Sequence, residues 1–156
     1  MKTGCLELES LTEKKPITGI SVVDSNILIY LVDATDKAKH EKAKKFIETI
    51  KNNPQNFAIC LQNLREFCSI AIRKKNLPPE EIAEYIDLFR NSFQNILYDN
   101  EEDILAASGH CAAKKTIFWD SLIAATMQRN EIEIIYTENT KDFKNFERIT
   151  AINPME

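Results

Sequence analysis

The sequence predicts an α/β fold: one domain with a central parallel sheet of about four to five strands and helices on its faces. Three observations carry this. Short apolar runs recur along the chain, each followed by a longer segment whose apolar residues repeat at helical spacing. The short runs are nearly continuous in hydrophobicity, as in strands covered on both faces. The length of 156 residues suits one domain with a sizeable core.

Residues 1–18, "MKTGCLELESLTEKKPIT", alternate charges with isolated leucines and lack the apolar stretch of a signal peptide. They are expected to form a polar arm ahead of a domain spanning 19–156. "GISVVD" (19–24) reads as a buried strand ending at Asp24, with a new element starting at Ser25. From Asp36 to about Asn52, the residues Ala43, Phe46, Ile47 and Ile50 mark a helical stripe, and Asn52, Asn53 and Pro54 stop it. "FAIC" (57–60) is a second strand, followed by a helix with the stripe Leu64, Phe67, Cys68, Ala71 and Ile72.

Pro78 and Pro79 open the next helix, whose stripe is Ile82, Tyr85, Ile86, Phe89 and Phe93. "NILY" (95–98) is the third strand. A helix from about Glu101 is expected to face inward through Ile104, Leu105, Ser108, Cys111 and Ala112, and another spans 119–130. "EIIY" (133–136) is the fourth strand, and "RITAI" (148–152) is a candidate for the last.

Composition narrows the function. Net charge is −4, the opposite of a protein that lives mainly by neutralising phosphates. The basic residues nevertheless cluster at Lys37 to Lys45, at Arg73 to Lys75 and at Lys114–Lys115, in patches that read either as solvated helix faces or as phosphate contacts. No apolar run approaches the roughly 20 residues of a membrane span. The four cysteines form no C-x-x-C pair and no zinc-ligand spacing with His40 and His110, which favours a reducing, cytoplasmic setting. With Gly4, Gly19 and Gly109 the only glycines, there is no phosphate loop, dinucleotide fingerprint or nucleophile elbow.

Carboxylates and amides at strand ends remain. Ligands bind beyond the carboxyl ends of such sheets, where Asp24, Thr137 and Asn139 fall. Hard oxygen donors of this kind suit Mg²⁺ or Mn²⁺. Asp120 is the odd residue, a charge set into the apolar run "FWDSLIAATM" (118–127) on the face of Ile123, Ala124 and Met127. It either caps its helix, pairs with a buried cation or ligates a metal, since an unpaired buried carboxylate is costly.

The blocks "VVDSNILIYLVD" (22–33), "LQNLREF" (61–67), "FWDSLIAATM" (118–127) and "IIYTENTKDF" (134–143) resemble, in order, the four signature blocks of PIN domains, most closely VapC-type toxin nucleases. The resemblance covers about residues 20–154. It implies a metal-dependent endoribonuclease using Mg²⁺ or Mn²⁺, with Asp24, Glu66 and Asp120 at the three acidic positions. Asn139 falls where many members carry a fourth Asp, and Asp142 offers charge from the same loop. Asn26 and Thr137 match polar positions beside the site. Glu66 owes its assignment to the resemblance alone, because the helical pattern puts it on the polar face with Gln62, Ser69 and Arg73.

The resemblance also implies an RNA substrate, a cognate antitoxin protein and a homodimer, with no role for a membrane. Arg65, Lys114 and Lys115 are candidates for RNA phosphate contacts. Apolar residues on the helices at 36–52 and 62–93 offer a groove for the antitoxin, or simply fill the core. Two rival readings stand beside the toxin. One is a catalytically weak module that partners a DNA-binding regulator, for which Asn139 speaks; the other is a housekeeping nuclease of RNA maturation.

Overall fold

The computed structural model describes residues 19–156, so the expected polar arm lies outside the described residues. Five parallel strands form one sheet: β1 (Ser21–Val23), β2 (Phe57–Cys60), β3 (Asn95–Leu97), β4 (Ile134–Tyr136) and β5 (Thr150–Ile152). Their order is β3-β2-β1-β4-β5. The chain leaves β1 toward β2 and later returns to β1's other side with β4. A crevice therefore opens between β1 and β4 at their carboxyl ends, the place where parallel sheets bind ligands.

The central strands β1 and β2 are covered on both faces. Val22 faces one core and Val23 the other, and along β2 Phe57 and Ile59 alternate with Ala58 and Cys60 in the same way. On Val23's side lie α1 (Ser25–Ile29), α2 (Lys37–Asn52), α3 (Leu61–Arg73) and α4 (Pro79–Ser92), contributing Ile27, Ile47, Ile50, Phe67 and Phe89. Phe67 and Phe89 meet edge to face at 4.9 Å between ring centres. On Val22's side lies α6 (Phe118–Arg129), through Ile123, Ala124 and Met127, closed at one end by Phe143 and Phe146. The stripes of α2 to α4 thus fill the core, except that Ile72, expected inward on α3, is 56% exposed near the helix end.

The caps follow local chemistry. Asp36 caps α2 by accepting from the Lys39 N–H at 3.1 Å, and Pro79 starts α4 where its missing N–H costs nothing. Asn100 and Asp103 form a reciprocal capping box at the start of α5 (Glu101–Lys114).

The face of α5 corrects the sequence expectation. Ile104 and Leu105 are 45% and 75% exposed, and the helix turns Asp103 and Ala107 inward. It packs on α6 rather than on the sheet, and the seam is polar: Arg129 grips the buried Asp103 carboxylate through Nε at 2.9 Å and Nη2 at 2.8 Å, and also donates to the Tyr98 carbonyl. Arg129→Ala is expected to cost about 2 kcal/mol, since Asp103 would keep its cap donors and lose its cation. Urea unfolding midpoints check this; an unchanged midpoint would mean that the pair contributes nothing.

Candidate active site

Asp24 ends β1 in the crevice. Its own N–H bonds to the Tyr136 carbonyl at 2.9 Å, extending the β1–β4 ladder by one residue and aiming the side chain past the sheet edge. The carboxylate is 6% exposed and fully engaged. Oδ1 accepts from the Ser25 N–H at 2.7 Å and from Asn63 Nδ2 at 3.2 Å, while Oδ2 accepts from the Thr137 hydroxyl at 2.7 Å. Burial, helped by the Glu66 charge, nevertheless pushes its pKa up to about 6 against the pull of those donors.

Thr137, one residue past β4, is completely buried and acts as a hub. Its oxygen accepts from Asn26 Nδ2 at 3.0 Å and from the Asn139 N–H at 3.1 Å. Asn26 in turn takes the Glu138 N–H at 3.2 Å on its Oδ1, which ties α1 to the loop after β4.

Glu66 is half-buried rather than surface-bound. The first turns of α3 lean over the sheet edge, so Oε2 takes the Ser25 hydroxyl at 2.6 Å and Oε1 takes Gln62 Nε2 at 3.1 Å. Asn63 fixes that lean: its Oδ1 accepts the Cys60 N–H at 3.0 Å while its amide donates to Asp24. Ser25 and Asn63 therefore join the acidic group although the sequence did not single them out. Their only advance signal is position, in the first turns of helices that directly follow β1 and β2.

Asp120 is the third residue of α6, whose N-cap position is held by Ile117 without a side-chain cap bond. Among the described residues it accepts no hydrogen bond and pairs with no cation. Burial first, then the charges of Asp24, Asp142 and Glu66, raise its pKa to about 7. The cap and the cation pair are thereby removed as explanations for this residue.

Asp142 lies close enough to act on Asp120, in the 3-10 turn Thr140–Phe143 that Asn139 precedes. The Asn139 side chain is exposed and makes no hydrogen bond among the described residues. Arg65 sits beside Glu66 and is held by Asp99 at 2.7 Å. Lys114 does not join this group: its ammonium donates to the Asn145 carbonyl at 2.6 Å and lines a separate cavity with His110, Glu131 and Glu147. Lys115 forms the left-handed end of α5, with φ of 53°.

The donor set suits a hard divalent cation: only oxygen ligands, mutually repelling charges and one carboxylate without a partner. Among the described residues no three acid, histidine or cysteine side chains are grouped as a ready metal shell, and Asp24 and Glu66 are hydrogen-bonded by Ser25, Thr137, Asn63 and Gln62.

A five-stranded parallel sheet with an acidic switch-point crevice, flanked by six helices, is the architecture of the PIN domain. The family model for the PIN domain matches residues 21–149, and the chain belongs to that family. Within it the fold is of the VapC type. A toxin–antitoxin complex from Klebsiella pneumoniae superposes with a TM-score of 0.60 at 26% identity, covering 86% of this chain and 97% of that one. VapC20 of Mycobacterium tuberculosis, a toxin that cleaves the sarcin–ricin loop, gives 0.64 at 18% identity, covering 83% and 98%. DNA-bound VapBC from Salmonella typhimurium gives 0.62 at 16% identity, covering 87% and 98%. No curated protein matches the chain in sequence. No helix among the described residues is long and apolar enough to cross a membrane.

Proposed function

We propose that the protein is a divalent-metal-dependent endoribonuclease that hydrolyses RNA phosphodiester bonds and serves as the toxin of a toxin–antitoxin pair. The observation that carries this is Asp120: a half-buried carboxylate with a raised proton affinity, in the field of three more acids and paired with no cation among the described residues. An arrangement that stores repulsion is costly unless a cation relieves it.

Asp24, Glu66 and Asp120 would hold Mg²⁺ or Mn²⁺, with Asp142 adding charge from the loop and Asn139 an amide oxygen. A bound ion of this kind supplies Lewis acidity toward a phosphate oxygen and lowers the pKa of water for attack on phosphorus. The chain's own contribution is orientation. Thr137 and Asn63 fix the two oxygens of Asp24, Ser25 and Gln62 fix those of Glu66, and Asn26 holds Thr137 in place. Arg65 is the phosphate contact nearest the acids.

The Klebsiella complex, at 26% identity over most of both chains, supports an antitoxin partner. The proximity of Asp142 to Asp120 speaks against the binding-module reading that Asn139 keeps open. Titration with Mn²⁺ followed by calorimetry tests the metal site: saturable binding in the wild type and none in Asp24→Asn is expected, whereas equal binding in both would remove Asp24 from the site. Thr137→Val should weaken Mn²⁺ binding about ten- to a hundredfold, because it frees the Asp24 carboxylate to rotate. An unchanged affinity in the same titration would reduce Thr137 to a purely structural residue.

A further inference from the structure

Beside the acids, outside the crevice, lies a cavity of about 740 Å³, within the roughly 300–1,000 Å³ of ligand clefts. Gln62, Glu66, Ser69 and Arg73 of α3 line it on one side, Phe118 and Trp119 of α6 on the other. Trp119 is 52% exposed although it starts an otherwise buried helix, and its ring is braced edge to face by Phe118 at 5.1 Å. A large aromatic left half open against a polar, partly cationic wall contributes little to the core. It is the surface that a nucleobase uses, since every base has a face to stack and the phosphates beside it need cations.

We propose that this cavity is a base-binding subsite, in which an unpaired base next to the scissile phosphate stacks on Trp119 while Arg73 meets the neighbouring phosphate. The inference rests on the RNase reading and deepens it by assigning the base contact beside the acids to Trp119. Register follows from the chain, because Trp119 and Asp120 are consecutive and Glu66 lines both the cavity and the acidic group. Arg73 is exposed at the end of α3 and has no carboxylate partner among the described residues, so its charge is free for a phosphate. A protein partner is the weaker candidate for this spot: Ile104 and Leu122 add apolar surface, but the α3 wall carries Gln62, Glu66, Ser69 and Arg73.

Trp119 is the single tryptophan of the chain, so its fluorescence reports on this position alone. The full chain, kept in EDTA, is titrated with a single-stranded 2′-O-methyl RNA octamer, which cannot be cleaved by way of its 2′ oxygen, and with the same octamer lacking its bases. Saturable quenching by the first and little by the second is expected. By anisotropy of a labelled octamer, Trp119→Ala should bind the base-containing strand about ten- to a hundredfold more weakly, with Trp119→Phe recovering most of the loss. Equal affinity of wild type and Trp119→Ala would overturn the subsite. So would fluorescence that changes with protein concentration and not with RNA, which would assign Trp119 to a contact between protein chains. The expected binding pattern combined with no cleavage at any metal concentration would support the subsite and sink the nuclease reading instead.

Discussion

Asp120→Asn is expected to slow RNA cleavage on the order of a hundred- to a thousandfold while making the metal-free protein more stable. The two halves have one cause. The aspartate has no hydrogen-bond donor or cation to satisfy it among the described residues, and it stands in the field of Asp24, Asp142 and Glu66. Asparagine keeps the volume and removes the charge, which relieves that repulsion by about 1–2 kcal/mol at pH 8 once solvent screening at a half-buried site is allowed for. On the proposed site the same substitution removes a ligand for the ion, at a cost of several kcal/mol in the transition state. A capping aspartate would behave in the opposite way, losing about 1 kcal/mol of stability and leaving chemistry untouched. Initial cleavage rates and urea midpoints in EDTA, measured on one preparation, separate the two. Lower stability with unchanged cleavage would take Asp120 out of the site.

The second large effect is on pH dependence. In EDTA, stability is expected to fall as pH rises from about 4 to about 8. Folding raises Asp24 to about 6 and Asp120 to about 7 from the usual 3.8. In that window the folded protein holds protons that the unfolded chain has already released, so each step upward in pH takes stability away. For the nearly inaccessible Asp24 the loss amounts to about 3 kcal/mol, and the more open Asp120 adds about 1–2 kcal/mol. Both lie within reach of a denaturant series, given total stabilities of roughly 5–15 kcal/mol. Saturating Mn²⁺ should reverse the trend at the alkaline end, contributing about 3 kcal/mol at a hundredfold excess over its dissociation constant. A profile that rises between pH 4 and 8 in EDTA would contradict the proposed state of these acids.

Strands were readable in the sequence because burial on both faces leaves nothing but apolar runs, as in "SVV" and "FAIC". The helices α2, α3 and α4 were readable for a related reason, since one stripe of each faces a single large core. The stripe assigned to α5 failed because that helix packs on another helix through an ion pair. Its buried side carries Asp103, and periodicity of apolar residues is blind to a polar seam.

Among the candidate site residues, Asp24 and Thr137 were singled out by their strand-end positions, and Asp120 by its conflict with an apolar surround. Glu66 could not be reached by pattern: its helix face is polar, and only the lean of α3 over the sheet, fixed by Asn63, makes that face an inner one. Ser25 was passed over as a helix start, yet its hydroxyl is what brings Glu66 to Asp24. Lys114 was drawn toward RNA by charge alone, and its carbonyl partner lies elsewhere.

The most direct test of the account is cleavage of a mixed pool of transfer and ribosomal RNA by purified protein free of antitoxin, with Mg²⁺, with Mn²⁺ and with EDTA, beside Asp24→Asn. Discrete fragments that require a divalent ion and vanish in the variant are the predicted result. Intact RNA under every condition from protein shown to be folded, or fragments that persist in EDTA, would contradict it.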